Sequence, residues 1–159
     1  MAILHSEDKS LKSRFEIKIL REQIKNKPEI SWIPYELFLV SGEKEMIYKK
    51  NPDDNGAGDY VLALAPSNEI LSISEALKNF LKNPESNSYS FEPLEPSFEI
   101  IFERSHKGFS FTCWVDSGNV ITDHYTWDGF GIRFFTTEEN LSNFISQLEK
   151  ENKELLNYA

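Results

Sequence analysis

Phe109, Phe111, Cys113 and Val115 occupy alternate positions of one short run. Successive side chains of an extended chain point to opposite faces, so this spacing predicts a strand with one buried, apolar face. The alternation recurs at Phe15, Ile17 and Ile19, with Glu16 and Lys18 between them. Tyr35 to Val40 is almost continuously apolar, with Glu36 as its one charge. Aromatic residues make up 13% of the chain, including twelve Phe, and large flat side chains at that density favour sheets. A chain so patterned must close several half-buried strands over a shared core.

Turn chemistry sets how those strands connect. Ser41-Gly42-Glu43 and Ser117-Gly118-Asn119 read as hairpin turns, and Met46 to Lys49 as the strand returning from the first. Further strands are expected at Tyr60–Ala65, Phe98–Phe102, Val120–Thr126 and Gly131–Phe135, with the strand near Phe98 a candidate for an exposed edge. Ser72-Ile-Ser-Glu75 and Thr136-Thr-Glu-Glu139 have the capping-box form. Leu77, Phe80 and Leu81 follow the first at helical spacing, and Leu141, Phe144, Ile145 and Leu148 follow the second. Hairpins join most strand pairs, which argues against parallel βαβ units. The expected fold is α+β, a mainly antiparallel β-sheet with two amphipathic helices packed on it. Residues 1–13 are polar and mixed in charge and read as a flexible leader, and residues 14–159 as a single α+β domain. Residues 84–97, with three prolines and several serines, read as a surface connector.

Composition narrows the classes of function. A chain of 159 residues buries a core without staples, and its single cysteine, Cys113, excludes an internal disulfide. No apolar run is long enough to cross a bilayer and no signal-peptide pattern opens the chain, so a cytoplasmic protein with no membrane association is expected. The net charge is −9, with no dense basic run. Nucleic-acid binding draws on clustered Lys and Arg, so none is expected. Acidity fits solubility or a basic partner.

No complete catalytic motif is present in the sequence. Of the three histidines, His5 and His106 lie in polar surroundings and read as surface residues. His124 sits in Asp123-His124-Tyr125-Thr126-Trp127-Asp128-Gly129, where an Asp, a His and a second Asp suggest a small metal-binding or hydrolytic site. Strand alternation sends Asp123 and His124 to opposite faces, and no further ligand pattern accompanies them. Asp128-Gly129 reads instead as a turn. Asp53-Asp54-Asn55 with Asp59 has the composition of a calcium loop without its terminal Glu. Cys113, among apolar neighbours, reads as a buried and inert thiol. No catalytic, cofactor-binding or metal-ligating residue is therefore assigned, and no cofactor is expected. Trp and Tyr are enriched at binding hot spots, and an aromatic centre with an acidic rim suits a basic partner. The candidate partner-binding residues are Asp53, Asp54, Asp59, Asp123, Tyr125, Trp127 and Asp128.

Several features together resemble a family. They are the alternating strand Phe15-Glu-Ile-Lys-Ile-Leu-Arg21, and a Trp leading an apolar strand from Trp32 to Val40. Next come the helix Ser74-Glu-Ala-Leu-Lys-Asn-Phe-Leu81 and the run Phe91-Glu-Pro-Leu-Glu-Pro-Ser-Phe-Glu99 leading into a later strand. Last is the closing Phe134-Phe-Thr-Thr-Glu-Glu-Asn-Leu-Ser-Asn-Phe-Ile145. This arrangement resembles the bacterial immunity-protein family that includes the WapI-type antitoxin partners of cell-wall-associated toxins. The resemblance implies a non-catalytic protein that binds a cognate toxin, a basic toxin domain, and blocks it. A regulatory protein-interaction domain is the other non-catalytic alternative.

Overall fold

The computed structural model describes residues 1–20, 32–48, 61–63, 68–94, 97–116 and 129–156. Within them the chain is α+β, two antiparallel sheets with two helices packed against them. The first sheet holds β1 (Ala2–His5), β2 (Arg14–Ile19), β3 (Trp32–Ser41) and β4 (Lys44–Tyr48) in that spatial order. A short β5 (Val61–Ala63) pairs with the N-terminal end of β3. The second sheet is β6 (Ser88–Phe91), β7 (Phe98–Ser105), β8 (Gly108–Asp116) and β9 (Gly129–Thr136), again in sequential order. Helix α1 (Glu69–Lys82) lies between the two sets of strands in the sequence, and α2 (Glu138–Leu156) follows β9.

Each sheet turns one face inward. On β2 and β3 the inner side chains are Phe15, Ile17, Ile19, Tyr35, Leu37 and Leu39, all buried. On β7 and β8 they are Phe98, Ile100, Phe102, Phe109, Phe111, Cys113 and Val115. The two faces meet through aromatic rings: Phe15 stands 5.2 Å from Phe111 and Tyr35 stands 5.4 Å from Phe98, measured between ring centroids. The Tyr35 hydroxyl and Ser97 Oγ share a buried hydrogen bond across the same seam. The helices close the core with Ile70, Ile73, Leu77 and Phe80 from α1 and Leu141, Phe144, Ile145, Leu148 and Leu155 from α2. The hairpin between β3 and β4 turns at Gly42, whose φ of +64° a residue with a side chain adopts only at a steric cost.

The N-terminal residues correct the expectation of a flexible leader. Ala2 and Leu4 are fully buried on the inner face of β1, which pairs along its length with β2. The other edge of β1 is closed by the C-terminal third of the chain. The Met1 amino group meets Glu151, and Ile3 N–H donates to Gln147 Oε1 at 2.6 Å. The His5 carbonyl accepts from Thr136 Oγ1 at 2.8 Å, and Glu7 N–H donates to the Phe135 carbonyl at 2.7 Å. An open strand edge presents unpaired donors and acceptors, and here a helix and a neighbouring strand satisfy them. The apolar run Met1 to Leu4 is too short to announce a strand; only long-range pairing makes it one.

Three smaller expectations change as well. Helix α1 starts at Asn68 rather than in Ser72–Glu75: Asn68 Oδ1 accepts from Leu71 N–H at 3.0 Å, the first-turn bond an N-cap supplies. In α2 the capping hydroxyl belongs to Thr137, which accepts from Asn140 N–H at 3.1 Å, while Thr136 is spent on β1. The strand near Phe98 is interior, held between β6 and β8, because Ser88–Phe91 inside the presumed connector adds a strand outside it. The strand expected at Val120–Thr126 lies outside the described residues.

The last turn of α1 is tied to β7 by Arg104. Its guanidinium donates to the carbonyls of Phe80 at 2.6 Å, Asn83 at 3.1 Å and Ser86 at 2.9 Å. It also lies over the rings of Phe80 and Phe109, at 4.9 and 5.3 Å from their centroids. The final carbonyls of a helix lack intrahelical donors and carry partial negative charge, so a cation held there satisfies both needs.

Candidate functional site

The residues singled out in the sequence fall outside the described structure. Asp53, Asp54 and Asp59 lie in the segment 49–60, and Asp123, His124, Tyr125, Trp127 and Asp128 lie in the segment 117–128. The described residues bring none of them together and separate none of them. His106 is exposed in the turn between β7 and β8. His5 is exposed at the end of β1, on an open groove of about 460 Å³ shared with Asn140, Asn143, Gln147 and Lys150. That lining has no carboxylate to pair with the imidazole. Among the described residues no group of three or more His, Cys, Asp and Glu side chains is placed to hold a metal ion. Cys113 is fully buried, and that burial, with Glu99 nearby, pushes its thiol well above the ordinary cysteine value. A thiol so held is neither accessible nor ionised, as its apolar strand face predicts.

Among the described residues, the outer face of the second sheet carries exposed aromatic side chains beside charged ones. Register fixes its composition in three cross-strand rows. Glu99, Trp114 and Gly131 form the first; Ile101, Thr112 and Arg133 the second; Glu103, Ser110 and Phe135 the third. Trp114 is 45% exposed and Phe135 58% exposed. Ile101, in the middle row on β7, is half-buried. Arg133 Nε donates to Thr112 Oγ1 at 3.1 Å, and Ser110 Oγ donates to Glu103 Oε2 at 3.2 Å. These bonds join neighbouring strands and hold the polar side chains against the sheet.

Gly131 explains how Trp114 sits. A Cβ at this position would stand 2.5 Å from Trp114 Cε3, 2.8 Å from Cζ3 and 2.6 Å from the Cys113 carbonyl oxygen. The indole therefore lies across the glycine, in space that any other residue would fill. One side of the ring is supported by backbone, and nearly half of the side chain faces solvent. Held in this way, the ring has little rotamer freedom left to lose on association.

The signal for this surface was in the sequence. If Phe109, Phe111, Cys113 and Val115 face the core, Trp114 must face away, and so must Thr112 and Ser110. Adjacency to apolar neighbours concealed it. The opposition of Gly131 and Glu99 to Trp114 depends on strand register, which one chain read without its pairings does not display.

The fold and this face together define an α+β protein whose second sheet exposes aromatic and acidic side chains on its outer face. No protein-family model, curated protein or solved structure matches the chain. Among the described residues, no helix is long and apolar enough to cross a membrane.

Proposed function

We propose that this chain is a non-catalytic immunity protein of the cytoplasm that binds a cognate basic toxin domain and occludes it. The observation that carries the reading is the exposed, backbone-supported Trp114 on the outer sheet face, with exposed Phe135 two rows along the same face and carboxylates at Glu99 and Glu103. Tryptophan is among the residues enriched at binding hot spots, and a preorganised ring loses little entropy on association. A net charge of −9 steers a basic partner toward the protein and speeds encounter. The resemblance to WapI-type immunity proteins supports the same reading from the order of elements.

The test is direct titration with the C-terminal domain of a secreted toxin encoded beside this chain. A one-to-one complex is expected, with affinity that falls as salt is raised through the screening range. Trp114→Ala with Phe135→Ala should weaken it by at least about thirtyfold, the size of a hot-spot loss. Full affinity in that double variant would remove the sheet face from the proposal, and absence of any complex would remove the immunity role.

A further inference from the structure

We infer that Trp114 and Glu99 form a subsite for an arginine side chain presented by the protein partner. The inference rests on the protein-binding reading above and names the group that the face receives. Trp114 and Glu99 are directly opposed in the pairing of β8 with β7. Directly opposed residues of an antiparallel pair have Cβ atoms about 5 Å apart. The indole lies across Gly131 on the β9 side and Glu99 stands in the same row on the β7 side, so a group laid along that row can meet the exposed ring and the carboxylate together.

A guanidinium is the group that uses both walls. Its plane stacks on an aromatic face, where the ring quadrupole attracts the cation. Its edge offers paired N–H donors that match a carboxylate, which an ammonium of similar charge does not. The chain already shows one half of this arrangement internally, where the Arg104 guanidinium lies 4.9 Å over the Phe80 ring. Among the described residues Glu99 makes no ion pair, so its charge is available. Among the described residues the cation already on this face is Arg133, one row away, with its Nε fixed on Thr112. It stands on the β9 side of the indole, opposite Glu99, and so leaves the β7 side as the place where a second cation gains most.

The probe is a synthetic alternating Arg-Gly peptide, with citrulline-Gly and Lys-Gly peptides of equal length as comparisons. Binding is followed on the full chain through the indole ¹H–¹⁵N resonance of Trp114, assigned by its loss in Trp114→Phe. The Arg-Gly peptide is expected to shift that resonance saturably. Its affinity should fall about tenfold in Trp114→Ala and about fivefold in Glu99→Gln, and stay unchanged in Glu75→Gln on the exposed side of α1. The lysine peptide should bind several-fold more weakly and the citrulline peptide should not bind. Glu99→Gln keeps the shape of the side chain, so it remains informative if Trp114→Ala perturbs the strand.

Equal affinity in the wild type, Trp114→Ala and Glu99→Gln would show the peptide held by overall acidity and would overturn the subsite. So would a Trp114 resonance that does not move, or binding weaker than about 1 mM. None of these results bears on whether a toxin domain binds, which the direct titration reads separately.

Discussion

The two sheets share an architecture and differ in what they do with their outer faces. On the first sheet the charged outer side chains of β2, β3 and β4 answer one another, beside the apolar Phe38 and Ile47. Arg14 pairs with Glu16 and, at 3.6 Å, with Glu45, and Lys18 pairs with Glu36 at 3.1 Å. On the second sheet the same positions hold Trp114, Phe135 and Ile101, and the charged residues Glu99, Glu103 and Arg133 form no ion pairs among the described residues. A face whose charges are already paired has little to gain from a partner. A face that exposes aromatic carbon beside unpaired charge has much to gain from one. The difference is why the proposal places its partner on the second sheet rather than resting on the chain's acidity in general.

The largest effect that tests this contrast is expected at Gly131. Gly131→Val drives a branched Cβ into the Cys113 carbonyl and the Trp114 ring, and the carbonyl cannot move without shifting β8. Overpacking of this kind should cost about 3 kcal/mol, read as a lower urea midpoint with an unchanged slope. A neutral outcome would mean that the indole does not lie on the glycine, and the supported-platform argument would fail with it.

A second test attacks the first sheet. Glu16 is 7% exposed and its carboxylate is held by Arg14. Arg14→Met keeps most of the aliphatic packing and leaves that carboxylate without its donor. The expected loss is about 2 kcal/mol in urea unfolding, the cost of an unsatisfied charged acceptor in a mostly buried site. Binding of a basic partner should be unaffected. Loss of binding without loss of stability would reverse the assignment of faces.

These two positions also show what was legible in advance. The inner faces were readable because alternation is a local property: Phe15, Ile17 and Ile19, or Phe109, Phe111 and Cys113, announce their side without reference to a neighbour. The hairpin at Gly42 was readable for the same reason. What stayed hidden depends on distant pairing. β1 has only Ala2 and Leu4 as inner residues and exists because β2 and α2 flank it. β6 carries Tyr89 and Phe91 at strand spacing, but prolines on either side gave it the look of a connector. Arg104 reads as a charge near a strand end, and only the folded chain shows it closing the last turn of α1. The candidate contact residues chosen for turn and acidic character fell in the segments 49–60 and 117–128, outside the described residues, whereas Trp114 followed from parity alone.

Trp114→Ala separates stability from association. The side chain is 45% exposed, so its removal gives up only part of its burial, and about 1 kcal/mol of destabilisation is expected. The loss in partner affinity should exceed the loss in stability, which is the signature of a contact residue rather than a core one. A destabilisation above about 3 kcal/mol would place Trp114 with the core aromatics and dissolve the distinction between the faces.

The smallest expected effect sharpens the comparison most. Lys18 Nζ and Glu36 Oε2 pair at 3.1 Å with the Lys18 side chain 48% exposed. A pair so open to solvent gains little Coulomb energy in high dielectric, and holding two long side chains in register costs entropy that offsets it. Lys18→Met should therefore change stability by less than about 0.5 kcal/mol, and still less at high salt. It also leaves Glu36 unpaired, which gives the first sheet an outer face with a free carboxylate for the first time. If acidity alone draws a basic partner, this variant should bind more tightly than the wild type, in parallel with its added negative charge. If the partner reads the indole and carboxylate together, affinity should stay where it was. Isothermal titration of Lys18→Met beside Glu99→Gln decides between the two, because each changes the net charge by one unit, in opposite directions and on opposite faces.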